Sequence, residues 1–310
     1  MSATHPLFDP ALRAIDAGDL DALSNLLVSE PDLVSARSTS ADPPYEGYFH
    51  GATLLHHVAG NPTRGELPDN IVEVTRVLIE AGADPEAGCG GGPAQPGTSG
   101  GTVMGLVTSG ARAHIQGHTE ALIDVLLEHG AALDPEGGMW GTLYHTVEHR
   151  GQREIAHMLH ARGVKADLPI AAGLGRLDLV RGFFGEDGQP VPGADEIWRR
   201  TVRGGALSTT DEILADALLA ASVNGWPDVV AWLLDRGAPI DMLRHWGPFP
   251  ITALHGAAWA GWPDVVALLL GRGADATILD PTHDGTPRVW AQFCDRTEAI
   301  AAFDQAGISR

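Results

Sequence analysis

A phrase near the C-terminus describes one complete structural unit and recurs with variations along the chain. Residues 252–275 read TALHGAAWAGWPDVVALLLGRGAD. This predicts a short apolar helix, a tight turn at Ala260–Gly261, a second helix that begins at Pro263 and a glycine stop at Gly273. A unit this small cannot bury its apolar face alone, so copies of it must stack on one another.

Glycines give the spacing of the repeat. Each follows a helix rich in leucine, isoleucine or alanine and can adopt the left-handed conformation that ends a helix. Their separations are 48, 33, 74, 36 and 34 residues, which fits a period near 33 with one long loop and one degenerate unit. The six stops are Gly82, Gly130, Gly163, Gly237, Gly273 and Gly307.

The repeated phrase resembles the ankyrin repeat, whose pattern T-P-L-H-x-A-A, G-H-x-E-V-V, L-L-L-x-x-G-A-D it follows. The resemblance implies an all-α fold, an ankyrin-repeat solenoid of about seven to eight helix-turn-helix units with hairpin-like finger loops. Such arrays serve mainly as binding surfaces, and the repeat itself carries no chemistry.

We predict one ankyrin-repeat domain over residues 1–310, with helix-capping threonines at Thr53, Thr102, Thr142 and Thr252. The weakest unit, Leu168–Gly188, lacks a capping threonine, and Gln189–Asp211 after it is either a long finger or a helical insertion. The predicted parts are an N-terminal cap (1–37), repeats with extended loops (51–167), the degenerate repeat with its insertion (168–212), and repeats with a C-terminal cap (213–310).

Composition narrows the classes of partner. The formal net charge of −20 excludes the concentrated basic footprint that nucleic acids need and disfavours anionic membranes. Two distant cysteines predict neither a disulfide framework nor a metal site. With no secretory leader and no run of 18 apolar residues, we expect a cytoplasmic protein, and the near absence of lysine suggests a GC-rich, bacterial genome.

The histidines raise the question of a metal. The resemblance implies that His56, His145 and His255 are structural and tie neighbouring loops together through backbone hydrogen bonds. His145-Thr146-Val147-Glu148-His149 also spells H-x-x-E-H, in which His145 and His149 would bind zinc and Glu148 would act as the base. Because the repeat already accounts for His145 and short motifs recur readily, we predict no metal and no cofactor.

Departures from the repeat supply the candidate binding residues. We predict a module that binds a protein or peptide partner through its concave face, which the fingers and inner helices form. An acidic surface steers basic ones, so the partner should carry a basic patch. The predicted contact residues are aromatic or histidine side chains: Tyr45, Tyr48, His50, His57, Trp140, Tyr144, His149, His245, Trp246 and Trp259.

The alternative is a small-molecule site or an enzyme in the N-terminal half of the same groove. His57 or His149 would be the general base, with Tyr48 or Glu148 as the acid or orienting partner. The chain shows no nucleophile elbow, dinucleotide fingerprint or convincing triad, which favours binding over catalysis. A scaffold or immunity-type partner of a neighbouring enzyme is also compatible with the sequence.

Overall fold

The computed structural model describes residues 5–38, 50–60, 65–89, 101–133, 146–147, 153–203, 206–247 and 249–309. The chain forms two compact units, Met1–His145 and Thr146–Arg310. The single domain over 1–310 stays a prediction. In the described part of the chain, no helix is both long enough and apolar enough to cross a membrane.

Unit 1 consists of helix pairs. The pairs are α1 with α2, the second 3-10 helix with α3, and α4 with α6. Two described fingers each form a single antiparallel bridge with the start of the following repeat, Arg37 with Thr53 and Gly88 with Thr102. The bounds are α1 Phe8–Ala17, α2 Leu20–Ser29, a 3-10 helix Pro31–Ser35, a 3-10 helix Leu54–Ala59, α3 Ile71–Glu80, α4 Val103–Ser109, α5 Ala111–Ile115 and α6 Thr119–Glu128.

Unit 2 is also built of helix pairs, and its longest helix, α11, has 15 residues. Its pairs are α8 with α9, α11 with α12, α13 with α14 and α15 with α16. The bounds are α7 Arg153–Ala161, α8 Leu168–Gly173, α9 Leu177–Gly182, α10 Glu196–Arg203, α11 Thr210–Asn224, α12 Pro227–Leu234, β1 Arg244–Trp246, β2 Phe249–Ile251, α13 Ala253–Ala260, α14 Pro263–Gly271, α15 Pro287–Phe293 and α16 Thr297–Gln305.

The core of unit 2 runs through the stack rather than gathering at one centre. Leu168, Leu254 and Val266 are inaccessible to solvent, and alanines such as Ala221 and Ala257 lie between the larger side chains. Small residues let neighbouring inner helices approach closely, while the leucines and valines fill the space between layers.

The predicted helix starts and stops are confirmed wherever the structure describes them. Thr102 accepts a hydrogen bond from the Gly105 amide at 3.1 Å, and the Thr53 hydroxyl lies 2.9 Å from His56 Nδ1. All six predicted glycine stops have φ between 78° and 104°. These local features follow from backbone chemistry that needs no tertiary partner.

The degenerate unit is capped by an aspartate, a cap that was not predicted from the sequence. Asp167 Oδ1 accepts from the Ile170 amide at 3.3 Å, and Oδ2 accepts from the Trp198 amide at 2.6 Å. Trp198 lies on α10, so residues 189–211 contain an eight-residue helix, and a bridge between Phe184 and Pro190 precedes it. Burial raises the pKa of Asp167 to about 7, against the opposing effect of these backbone hydrogen bonds.

A ladder of two tryptophans, Trp226 and Trp262, joins successive turns. Trp226 Nε1 donates to the Gly173 carbonyl and Trp262 Nε1 to the Val223 carbonyl, each at 2.7 Å. Both indoles therefore contribute to packing between repeats, and each satisfies a carbonyl near the end of an inner helix.

Candidate functional site on the fingers of unit 2

The fingers after α12 and α14 carry a polar and aromatic surface in unit 2. Strands β1 and β2 pair antiparallel, with His245 opposite Pro250 and Trp246 opposite Phe249. Alternation along β1 exposes His245 and buries Trp246. We define the finger surface as His245, Phe249, His283 and Trp290.

An arginine fixes the β1–β2 hairpin to α11. Arg244 Nε and Nη2 donate to the two carboxylate oxygens of Asp216, each at 2.7 Å, and Nη1 donates to Glu212 Oε1 at 3.1 Å. The side chain of Asp216 is only 2% exposed. A bidentate guanidinium–carboxylate pair fixes direction as well as distance, so the hairpin is held in one orientation.

Asp216 is available for this role because α11 begins early. Gly225 ends α11 in the same way that Gly261 ends α13. Asp216 lies nine residues before Gly225, and the capping Thr252 lies nine residues before Gly261, so Asp216 and Thr252 occupy equivalent positions in their repeats. Helix α11 is instead capped by Thr209, about two turns earlier. Asp216 is therefore not needed as a helix cap, and its carboxylate can bind the finger.

His255 fixes the next finger. Its Nε2 lies 3.0 Å from the Gly285 carbonyl and its Nδ1 2.8 Å from the Thr252 hydroxyl. A carbonyl can only accept, so Nε2 carries the proton and Nδ1 accepts from the hydroxyl. Burial lowers the pKa of His255, which keeps the imidazole neutral. The structural role expected of this histidine is confirmed.

Asp280 organises the finger between α14 and α15 from inside. Its carboxylate is inaccessible to solvent and accepts from the amides of Thr282, His283 and Gly285 at 3.0, 2.8 and 3.0 Å. Trp290 Nε1 adds a fourth hydrogen bond at 2.8 Å. Burial alone would raise the pKa of Asp280, but these donors outweigh it and lower the pKa to about 2.

Three rings meet on this rigid support. The Phe249 centroid lies 5.1 Å from that of His283 and 6.0 Å from that of Trp290, and His283 and Trp290 are 5.9 Å apart. Phe249 and Trp290 are half-buried and His283 is exposed. The two contacts of Trp290 are edge-to-face and the Phe249–His283 contact is tilted at 50°, so the three rings present a firm, partly accessible aromatic patch of the kind found at binding anchors.

The structure places five of the predicted site residues. His245 is exposed and Trp259 is half-buried on α13. Trp246 is 5% exposed, with its ring centroid 5.8 Å from that of Trp198. His50 and His57 are buried in unit 1. The other predicted site residues lie outside the described residues: Tyr45, Tyr48, Trp140, Tyr144, His145, Glu148 and His149.

His57 lies against the first repeat. It is 7% exposed, and its ring is 6.0 Å from that of Phe8 in an edge-to-face arrangement. The catalytic alternative built on His57, Tyr48, Glu148 and His149 stays a prediction. Among the described residues, no group of three or more histidine, cysteine, aspartate or glutamate side chains is placed to hold a metal ion.

Phe249, His283 and Trp290 were not among the site residues predicted from the sequence. A signal was present: Phe249 precedes the capping Thr252 by three residues, and His283 precedes Thr286 by the same number. The two rings therefore occupy equivalent finger positions in successive repeats, and a position-by-position comparison of fingers would have paired them.

His56 in unit 1 gives a prediction about acid stability. Burial, helped by the charge of Arg37, lowers the pKa of His56 to about 4. Between pH 6.5 and 4 the His56 imidazole is protonated in the unfolded chain but stays neutral in the folded chain. The free energy of unfolding therefore falls as the pH drops through this range. Urea unfolding at several pH values measures this effect. Across this range the free energy of unfolding of His56→Phe should fall less steeply than that of wild type, by about 1.4 kcal/mol per pH unit. Parallel pH profiles for the two proteins would contradict the assignment.

Comparison with known proteins identifies the repeat. The model of the ankyrin repeat family matches residues 251–281, the segment that holds α13, α14 and the start of the finger organised by Asp280. The chain contains an ankyrin repeat at these residues. The predicted fold class, an all-α ankyrin-repeat solenoid, is confirmed, and ankyrin repeats are generally protein-interaction modules.

This ankyrin-repeat protein is also similar to a solved structure, the crystal structure of the human ASB11 ankyrin repeat domain. The two are 19% identical, the similarity covers 94% of this chain and 97% of that chain, and the TM-score is 0.43. No curated protein sequence matches the chain.

Proposed function

We propose that this ankyrin-repeat protein binds a protein or peptide partner with a basic patch through the concave face of its fingers and inner helices. In unit 2 the contact region is the finger surface of His245, Phe249, His283 and Trp290. The observation that carries the proposal is the three-ring cluster of Phe249, His283 and Trp290, held in place by buried hydrogen bonds and yet partly open to solvent.

Preorganisation supports binding at this surface. The Arg244–Asp216 pair fixes one finger, and the Asp280 hydrogen bonds fix the other. Loops that are already ordered lose little conformational entropy when a partner docks, so more of the contact energy remains as affinity. Rings placed on such a support are the residue types that dominate measured interfaces.

The distribution of charge supports a basic partner. Unit 1 has nineteen Asp and Glu residues against five Lys and Arg, a net charge of −14, whereas unit 2 has twenty-one against fifteen, a net charge of −6. Both units are acidic, and an acidic surface accelerates encounter with a basic one in a salt-dependent manner.

Photo-crosslinking in the native cells tests this function. A photoreactive amino acid at exposed His245 should give a covalent adduct with one basic protein. The same amino acid at Val28, which is 81% exposed on α2 of unit 1, is the control and should not give that adduct. An absence of any protein adduct at His245 would contradict the proposal.

The purified adduct protein then gives a quantitative test of the same surface. Phe249→Ala and Trp290→Ala should each weaken its binding about tenfold or more, as expected for anchors worth more than about 1.4 kcal/mol. Val28→Ala, which changes an exposed apolar side chain elsewhere, should leave the affinity unchanged. Equal effects of all three substitutions would show that the partner does not use the finger surface.

A further inference from the structure

We infer that the partner places an arginine side chain on the open part of the Trp290 ring, within the cluster that Trp290 forms with Phe249 and His283. The inference rests on the proposed function and names the chemical group that the finger surface recognises. It follows from how the chain uses its own arginines, from the way Trp290 is held, and from the charges around it.

This protein stacks its own guanidinium groups on indole rings. The Arg153 guanidinium carbon lies 4.5 Å from the centroid of Trp226 and 4.2 Å from that of Trp262. The Arg236 guanidinium carbon lies 3.4 Å from the centroid of Trp232. Three indoles of unit 2 are thus covered by arginines from the chain itself, an arrangement stabilised by cation–π attraction and planar stacking.

Trp290 has the same ring but a different set of neighbours. Its ring contacts in the described residues are Phe249, His255 and His283, and none of the arginines described there lies over it. Arg288, the nearest arginine in sequence, is paired with Asp304 at 2.7 Å. The part of the Trp290 ring that stays open is therefore available to a guanidinium from another molecule.

The electrostatic surroundings favour a cation at this place. Trp290 Nε1–H is committed to Asp280, so the indole cannot turn, and a buried negative charge lies at its edge. Asp284, on the same loop, is exposed to solvent. A negative potential beside an aromatic face adds to the attraction that the face itself exerts on a cation.

Arginine fits this site better than lysine. Its planar guanidinium is weakly hydrated and can lie flat on a ring while it donates hydrogen bonds in its own plane. A lysine ammonium is a compact and strongly hydrated charge, so it loses more water in reaching the same face. The cluster should therefore discriminate between two peptides of equal charge.

Nuclear magnetic resonance of the full-length protein tests the inference. The indole N–H signal of Trp290, assigned with Trp290→Phe, is followed as the peptide Ac-Gly-Arg-Gly-Arg-Gly-amide is added. Two counterpart peptides are the controls. The lysine peptide keeps the positive charge without the planar group, and the citrulline peptide keeps the planar group without the charge. The arginine peptide should shift the Trp290 signal at concentrations at least threefold lower than the lysine peptide, and the citrulline peptide should leave the signal in place.

A second variant guards against misfolding as an explanation. Phe249→Leu keeps the apolar volume but removes one ring, so it should weaken the Trp290 response while the other indole signals keep their positions. An unmoved Trp290 signal, or equal responses to arginine and lysine peptides, would overturn the inference. If the inference failed in this way but His245 still gave its protein adduct, the proposed function would stand without the arginine contact. A Trp290 response to the arginine peptide with no protein adduct at His245 would contradict the proposed function instead.

Discussion

Replacing Arg244 by alanine is expected to lower the free energy of unfolding by about 3 kcal/mol. The substitution leaves the carboxylate of Asp216, 2% exposed, without the guanidinium that holds both of its oxygens. A buried carboxylate that loses a bidentate guanidinium keeps the cost of leaving water and loses that part of the compensating attraction. Urea denaturation of the full-length protein measures the change.

The chain supplies a matched control for this substitution. Arg272 pairs with Asp235 at the same 2.7 Å, but their side chains are 38% and 61% exposed. Water screens such a pair, so Arg272→Ala should cost no more than about 0.5 kcal/mol. Similar losses for the two variants would mean that Arg244 contributes as a surface residue and that the hairpin does not depend on it.

Substituting Gly175 by alanine should be comparably damaging, at about 3 kcal/mol. Gly175 has φ +71°, and an added Cβ would lie 2.6 Å from Cε2 of Trp226. The variant therefore combines left-handed strain with a steric clash against the tryptophan ladder. The free energy of unfolding is the measurement, and tryptophan fluorescence reports whether Trp226 has moved.

Gly237→Ala separates these two causes. Gly237 has φ +81°, and nothing lies within 4 Å of the position of an added Cβ. Its cost should be that of the backbone conformation alone, about 1 kcal/mol. If Gly175→Ala proved no worse than Gly237→Ala, the close approach of Trp226 would not be contributing to stability.

The repeat boundaries could be predicted because they depend on local chemistry. A glycine that must adopt positive φ, such as Gly273, and a hydroxyl that caps the next helix, such as Thr252, act on their own few residues. The cap of the degenerate unit escaped the same reasoning. Asp167 caps α8 through the nearby Ile170 amide, which an aspartate in front of Leu168 could have indicated, whereas its second bond, to the Trp198 amide 31 residues away, follows only from the tertiary structure.

The finger surface shows the same division more sharply. Trp246 was predicted as an anchor, yet it packs against Trp198 on the inserted helix. Phe249 and Trp290 were passed over, yet their rings meet across two repeats. Aromatic residues look alike in a sequence, and only the alternation of the strand and the course of the next finger decide which are covered.

The sequence by itself determined the period, the helix pairs, their caps and stops, and the acidic charge, because each depends on residues close together in the chain or on composition alone. The tertiary structure decided where the fingers point, which indoles arginines cover, and that Asp216 binds a finger instead of capping a helix. These outcomes depend on contacts such as that between Arg244 and Asp216, 28 residues apart. Stacking the repeats creates those contacts, and it thereby determines the surface available to a partner.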